Sequence, residues 1–329
     1  MNRSKYINVM SVISIICFLF CSADLQAVWV WDAKTGKWGN PKYEVKSTPK
    51  LQYKNANNFE KKKEWDRAAK EYKKLRQNFP RSKYAPEAIL HEAENFEKAG
   101  FYYESFQAYQ VLISKYPSYR EISEIVAQQY RIGNLYLTGK KRKMKYIKLA
   151  VFSALNEAIE IFEKVRDNLP FSDIADDAQF RIGLTYEKMN KLNQAIQAYR
   201  ELLRKFSESE LRDDAKYRIG MCYLNLSKGP EYDQASSVNA IAAFHEFLNE
   251  YPDSNRIEEV KQRISDLHNS QAKGIYDIAC YYDKIKQYDS ALIYYNRVVN
   301  DFSESTFVQN SQKRVAQIQQ KQQKITENK

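Results

Sequence analysis

The 329 residues exceed one ordinary compact domain, so the chain is predicted to form two domains or one elongated array. Only 9 glycines and 8 prolines stand against 25 tyrosines and 16 phenylalanines, which excludes collagen-like and linker-like chains, and 43% hydrophobic content excludes wholesale disorder. The net charge of +11 comes from 52 basic and 41 acidic residues, interspersed as on a mixed solvated surface rather than a nucleic-acid-binding tail.

Residues 1–27 read as an export signal. Arg3 and Lys5 precede an apolar run from Ile7 to Cys21, and small residues follow, with cleavage expected after Ala23 or Ala27. A retained anchor is the alternative, although a membrane-spanning helix needs roughly 20 apolar residues. Cys21 is a candidate lipid acceptor, but Phe18-Leu19-Phe20 before it are bulkier than a lipoprotein signal peptidase favours. The remaining cysteines, Cys222 and Cys280, fall at helix positions expected to be buried, as small core residues rather than a disulfide.

Residues 28–49 form a distinct arm holding three of the four tryptophans, Trp29, Trp31 and Trp38, around an Asp-to-Gly turn suited to a short hairpin. Thr35-Gly36-Lys37 is not a phosphate loop, because Trp31 and Trp38 stand where a glycine and a magnesium-binding hydroxyl are needed. The aromatics are expected to dock the arm onto the first helices.

From residue 50 to 315 the chain repeats. An Ala (once Ser), an aromatic four residues on and Pro or Ser twelve on recur as Ala68/Tyr72/Pro80, Ser105/Tyr109/Pro117, Ala158/Phe162/Pro170, Ala195/Tyr199/Ser207, Ala240/Phe244/Pro252 and Ala291/Tyr295/Ser303. Upstream of each lies a small residue with an aromatic three later: Ala56/Phe59, Ala93/Phe96, Gly133/Tyr136, Gly183/Tyr186, Gly220/Tyr223 and Ala279/Tyr282. These are paired helices in which small residues let the backbones approach and aromatics fill the gap between units, with Pro or Ser ending the second helix. Ser82, Ser172, Ser209, Ser254 and Ser305 are expected as N-caps, as are Asn193 and Asp289 within pairs, and Ser118 with Glu121 as a capping box.

Three insertions break the rhythm. Residues 139–145 bring the basic run Lys140, Lys141, Arg142 and Lys143, expected as a solvated loop, with a partner or anionic headgroups as the alternative contact and no nucleic-acid module around it. Ser227-Lys228-Gly229-Pro230 reads as a loop, whereas Ile257, Val260, Ile264 and Leu267 keep helical spacing through the third. Residues 316–329 form a polar tail, with Val315 and Ile318 suited to a capping helix.

The repeats resemble the tetratricopeptide repeat, with its small/aromatic first helix and Ala-x3-aromatic…Pro second helix, which implies an all-α right-handed solenoid of about six helix pairs. The order of signal, tryptophan arm and repeats, together with Tyr130-Arg131-Ile132-Gly133-Asn134-Leu135-Tyr136 before the basic insertion, resembles the BamD family of outer-membrane protein assembly lipoproteins. That resemblance implies a nonenzymatic scaffold on the periplasmic face of a Gram-negative outer membrane, binding the periplasmic domains of a BamA-type barrel insertase through later repeats and unfolded barrel precursors through early ones. The alternative is another envelope adaptor of the Tol-Pal or peptidoglycan machinery. A groove lined by first helices would present Tyr53, Asn57, Leu90, Glu94, Tyr130 and Asn134 to a peptide. No Gly-x-Ser-x-Gly or His-Glu-x-x-His site appears, His91, His245 and His268 lie far apart in sequence, and no His or Cys pair has metal-ligand spacing, so neither catalysis nor a cofactor or metal is expected.

Overall fold

The computed structural model describes residues 30–32, 37–39, 44–143, 150–228 and 234–327. The export signal, Cys21 and most of the tryptophan arm lie outside them, as do residues 229–233 of the second insertion. The chain divides into two compact units, Met1–Gly100 and Phe101–Lys329.

In the first unit, β1 (Val30–Asp32) pairs antiparallel with β2 (Lys37–Gly39), and helices α1 (Pro49–Lys61), α2 (Trp65–Asn78) and α3 (Ala85–Lys98) follow. The second unit begins with α4 (Tyr102–Lys115) and α5 (Ile122–Leu137), then a hairpin of β3 (Lys141–Lys143) and β4 (Ala150–Ser153). Next come α6 (Leu155–Asn168), α7 (Asp173–Lys188), α8 (Leu192–Lys205), α9 (Arg212–Ser227), α10 (Gln234–Glu250), α11 (Ile257–Lys284), α12 (Tyr288–Asp301) and α13 (Val308–Glu327). Consecutive helices pack on one another within each unit, as tetratricopeptide pairs do. Among the described residues, no helix is long and apolar enough to cross a membrane.

At Gly133, Gly183 and Gly220 the small residue of the first helix sits directly under the aromatic of its own second helix. A methyl group added at Gly133 would come within 2.8 Å of the Phe162 ring, and one at Gly183 or Gly220 would overlap Tyr199 or Phe244. The aromatic thus fills the space inside the pair, not between units as the spacing had suggested, and Tyr72, Phe162, Tyr199, Phe244 and Tyr295 are buried there.

The turns follow one scheme inside pairs and another between them. Inside a pair the first helix ends on a left-handed residue: Lys63 (φ 60°), Asn190 (φ 56°) and Lys286 (φ 62°). The next amide reaches back five residues, Glu64 N to Phe59 O at 3.0 Å, Lys191 N to Tyr186 O and Gln287 N to Tyr282 O at 2.9 Å, a Schellman closure. The following helix therefore starts early, with Lys191 and Gln287 at its cap positions, and Asn193 and Asp289 lie inside it rather than capping it. Between pairs, Ser82, Ser209 and Ser254 accept the amide two residues on, at 3.2, 3.1 and 3.4 Å, and so close the turn while Tyr84, Leu211 and Arg256 take the cap positions. Ser172 holds the cap position of α7 but its hydroxyl donates back to Leu169 O, and Glu121, at the cap of α5, makes no capping bond from its side chain.

The third insertion is the expected continuous helix: α11 runs 28 residues, with Val260, Ile264, Leu267, Ala272 and Ala279 buried along it. The boundary expected at residue 315 falls inside α13, where Ile318 is 2% exposed against Tyr295 and Ala291. The last helix therefore covers the apolar end of the final pair through Val315 and Ile318.

Candidate functional site

Groove residues in the first unit gather around one histidine. The Tyr53 ring on α1 lies 5.5 Å from Tyr72, 5.4 Å from Tyr84 and 6.1 Å from His91, and Tyr72 stacks on His91 at 5.1 Å. Glu94 stands one turn along α3 from His91, its Oε2 3.8 Å from Nδ1. Asn57 and Leu90 are half-buried on the same two helices. In the second unit, Tyr130 is tied down: its hydroxyl bonds the Asp177 carboxylate and accepts from Arg181 Nε at 2.5 Å, while its ring meets Phe162 at 5.8 Å. Asn134, half-buried, keeps Oδ1 buried with no hydrogen-bond partner among the described residues. The six residues are thus partly covered helix-face groups, and two of them, Tyr53 and Glu94, each lie near His91.

Within the basic insertion, Lys141–Lys143 form a strand rather than a loop. Arg142 lies over the Tyr103 ring at 4.1 Å and donates to Glu157 Oε1 at 2.7 Å. Lys140 sits over Tyr102 at 5.4 Å and Lys143 over Phe101 at 4.6 Å, and Lys140 and Lys141 are both exposed. Three aromatic faces at the start of α4 and one carboxylate on α6 draw the strand back onto the helices. Trp31 and Trp38, expected to dock on the helices, instead face each other across the hairpin at 5.6 Å and stay 50% and 62% exposed.

A second pattern, which the periodicity did not single out, links successive helices by charge. In three pairs the buried aromatic of the second helix is Tyr with an acid twelve residues before it, and its hydroxyl reaches that acid: Tyr72 to Glu60 at 2.7 Å, Tyr199 to Glu187 at 2.5 Å, Tyr295 to Asp283 at 3.4 Å. A base from a later helix then meets the same carboxylate: His91 on Glu60 at 3.3 Å, Arg218 on Glu187 at 3.2 Å, Arg314 on Asp283. Where the aromatic is Phe162 or Phe244, the residue at the acid's place, four after the small residue of the first helix, is Leu137 or Leu224. The signal was available in sequence as the covariation of Tyr with Glu/Asp and Phe with Leu at one repeat position.

The electrostatics follow from this bridge. Burial alone would raise the Glu60 carboxyl, but bonds from His91 and Tyr72 and the charge of His91 outweigh it and hold it at about 2. The bond to Glu60 raises His91 against the opposing effect of burial. Asp283 is lowered by the Arg314 guanidinium. Burial pushes the Cys222 thiol up to about 12, so this free cysteine is an inert core group, and half-buried Cys280 accepts from the Tyr295 hydroxyl at 3.4 Å.

Apolar side chains are exposed on the last pair. Ile278 (43%) and Tyr281 (60%) on α11 and Ile285 (44%) at its C-cap fall three and four residues apart, and Ile293 on α12 is 66% exposed. Tyr282 and Tyr294 stack at 5.5 Å where the two helices meet.

Helices paired through small-residue and aromatic contacts, with these repeated turns, define a tetratricopeptide-repeat protein. A tetratricopeptide-repeat family profile matches residues 51–82, and the YfiO outer membrane lipoprotein profile matches residues 150–329, more than half of the chain. The chain belongs to that outer membrane lipoprotein family. No curated protein matches it. Similar solved structures include a thermophilic tetratricopeptide protein of Thermus thermophilus, 13% identical, covering 67% of this chain and 98% of its own, at a TM-score of 0.30. The C-terminal part of a repeat protein from Cytophaga hutchinsonii is 12% identical, with 80% and 87% covered and a TM-score of 0.35. A repeat protein from Parabacteroides merdae is 11% identical, with 82% and 98% covered and a TM-score of 0.31. Proteins of the two matched families are in general noncatalytic scaffolds, an envelope setting goes with the lipoprotein family, and protein–protein interaction is the common function of such repeats.

Proposed function

We propose that the chain is a nonenzymatic scaffold of the outer-membrane β-barrel assembly machinery, exported and held at the periplasmic face of the outer membrane of a Gram-negative bacterium. It grips the periplasmic domains of a BamA-type insertase with its later repeats and receives barrel precursors on the first-helix faces of its early ones. The observation that carries the first half is the exposed stripe Ile278, Tyr281 and Ile285 with Ile293, lying within the region matched to the lipoprotein family. Large apolar side chains left in water at three- and four-residue spacing are what a partner covers. Support for the second half is the cluster of Tyr53, Tyr72 and Tyr84, which offers aromatic contact to the aromatic-rich strands of a precursor.

Affinity purification of the tagged full-length chain from detergent-solubilised envelopes tests the reading. Co-purification of a barrel insertase is the expected result. Recovery of Tol-Pal or peptidoglycan-linked components without the insertase would replace this reading with the other envelope adaptor.

A further inference from the structure

In two of the three bridges the cation on the buried acid is an arginine, Arg218 or Arg314, whose charge is permanent. In the first unit that place is taken by His91, a metal ligand when neutral, and a second carboxylate, Glu94, joins the group. The residue three positions after the bridging base, where Glu94 stands, is Met221 or Gln317 in the other two bridges, so the extra acid belongs to this one. Two carboxylates and an imidazole thus surround the space where a guanidinium sits elsewhere.

We propose that Glu60, His91 and Glu94 bind a divalent transition ion of the zinc class, which supplies the positive charge that arginine supplies in the later pairs. His91 Nδ1 lies 3.3 Å from Glu60 Oε2 and 3.8 Å from Glu94 Oε2, and the ligand atoms of all three lie within 4.8 Å of one another. Tetrahedral zinc at its usual ligand distances separates donor atoms by about 3.3 Å, so Glu60 and His91 already stand at that separation and the exposed Glu94 side chain has to swing in by about 0.5–1.5 Å to close the group. The scaffold holds two of the donors. Tyr72 donates to Glu60 Oε2 and stacks on the imidazole, so the outer contacts that orient metal ligands are in place. The Glu94 side chain is 40% exposed, against 17% for Glu60 and 28% for His91, which leaves one side open for water to complete the shell. Lys98 opposes the ion, with Nζ 3.6 Å from the other Glu60 oxygen. It is half-exposed and lies over the Trp65 ring, so it can withdraw without breaking the donor set.

The spacing of these residues in the chain does not show the site, because α1 brings Glu60 to the α3 pair from 31 positions away. The test is calorimetric titration of the untagged full-length chain with Zn²⁺, and with Mg²⁺ and Ca²⁺ in parallel. One Zn²⁺ per chain is expected, with little binding of the two hard cations, together with a rise in melting temperature. Glu94→Gln, on an exposed side chain, should weaken Zn²⁺ at least about tenfold, and Lys98→Met should tighten it. His91→Arg restores the bridge of the later pairs and should fold as well as the native chain while losing both the ion and the thermal shift. Absence of Zn²⁺ binding in the native chain, equal binding in His91→Arg, or Mg²⁺ binding as tight as Zn²⁺ would overturn the proposal.

Discussion

Tyr199 and Gly183 show how two residues twelve or more positions apart set the local stability of a pair. Gly183→Ala drives a methyl group into the Tyr199 ring and is expected to destabilise the chain by about 1–3 kcal/mol, as overpacking does. Gly274→Ala, in the middle of α11 with nothing within 4 Å of the added methyl, is expected to stabilise it by about 0.5–1 kcal/mol through helix propensity. Urea denaturation of both variants checks the opposite signs, and a loss at both positions would mean that backbone approach is not what the first glycine serves. Tyr199→Phe removes the donor to Glu187 and should cost about 1 kcal/mol. Phe244→Tyr should also destabilise, because Leu224 stands where its hydroxyl needs an acceptor. The small and aromatic positions were legible in the sequence because they recur with fixed spacing. The acid–tyrosine–base bridge was not read, because its partners alternate between two chemistries and its third member comes from the next helix.

At the scale of elements, the turns and the basic hairpin differ most from the sequence reading, for physical reasons. Lysine is an improbable left-handed residue, since a side chain there costs about 1–2 kcal/mol, yet Lys63 and Lys286 adopt it, held by six-residue Schellman bonds. The closure draws the next helix two residues earlier and strands Asn193 and Asp289 inside it. The basic run looked solvated because charge alone was weighed. The ring faces of Tyr102, Tyr103 and Phe101 lie about forty residues upstream in the chain, and folding brings them under the strand. Arg142→Ala removes both the ring contact and the Glu157 pair and is expected to cost about 1–2 kcal/mol. Hydrogen exchange should show faster opening of β3 and β4 while the amides of α8 to α12 keep their protection. Unchanged exchange in the hairpin would mean that Arg142 does not hold it.

At the scale of the whole chain, the repeat explains why so few glycines and prolines suffice for the thirteen helices of the described residues: left-handed caps and serine bonds recur at several of the turns. Helical continuity through residues 257–284 was legible from apolar periodicity alone, since no other element contributes to it. The exposed stripe was not legible, because Ile278, Tyr281 and Ile285 keep the same spacing as core residues and only the placement of neighbouring helices shows which face is left open. The central claim is that this open face is where the insertase docks. Its most direct test is titration of the purified chain with the insertase's periplasmic domains, comparing the native protein with Ile278→Asp and Ile293→Asp. Both variants lie on exposed side chains and should keep native stability within about 0.5 kcal/mol, while binding weakens at least tenfold, the equivalent of about 1.4 kcal/mol. Binding as tight in both variants as in the native chain would contradict the account and move the docking surface off the last pair.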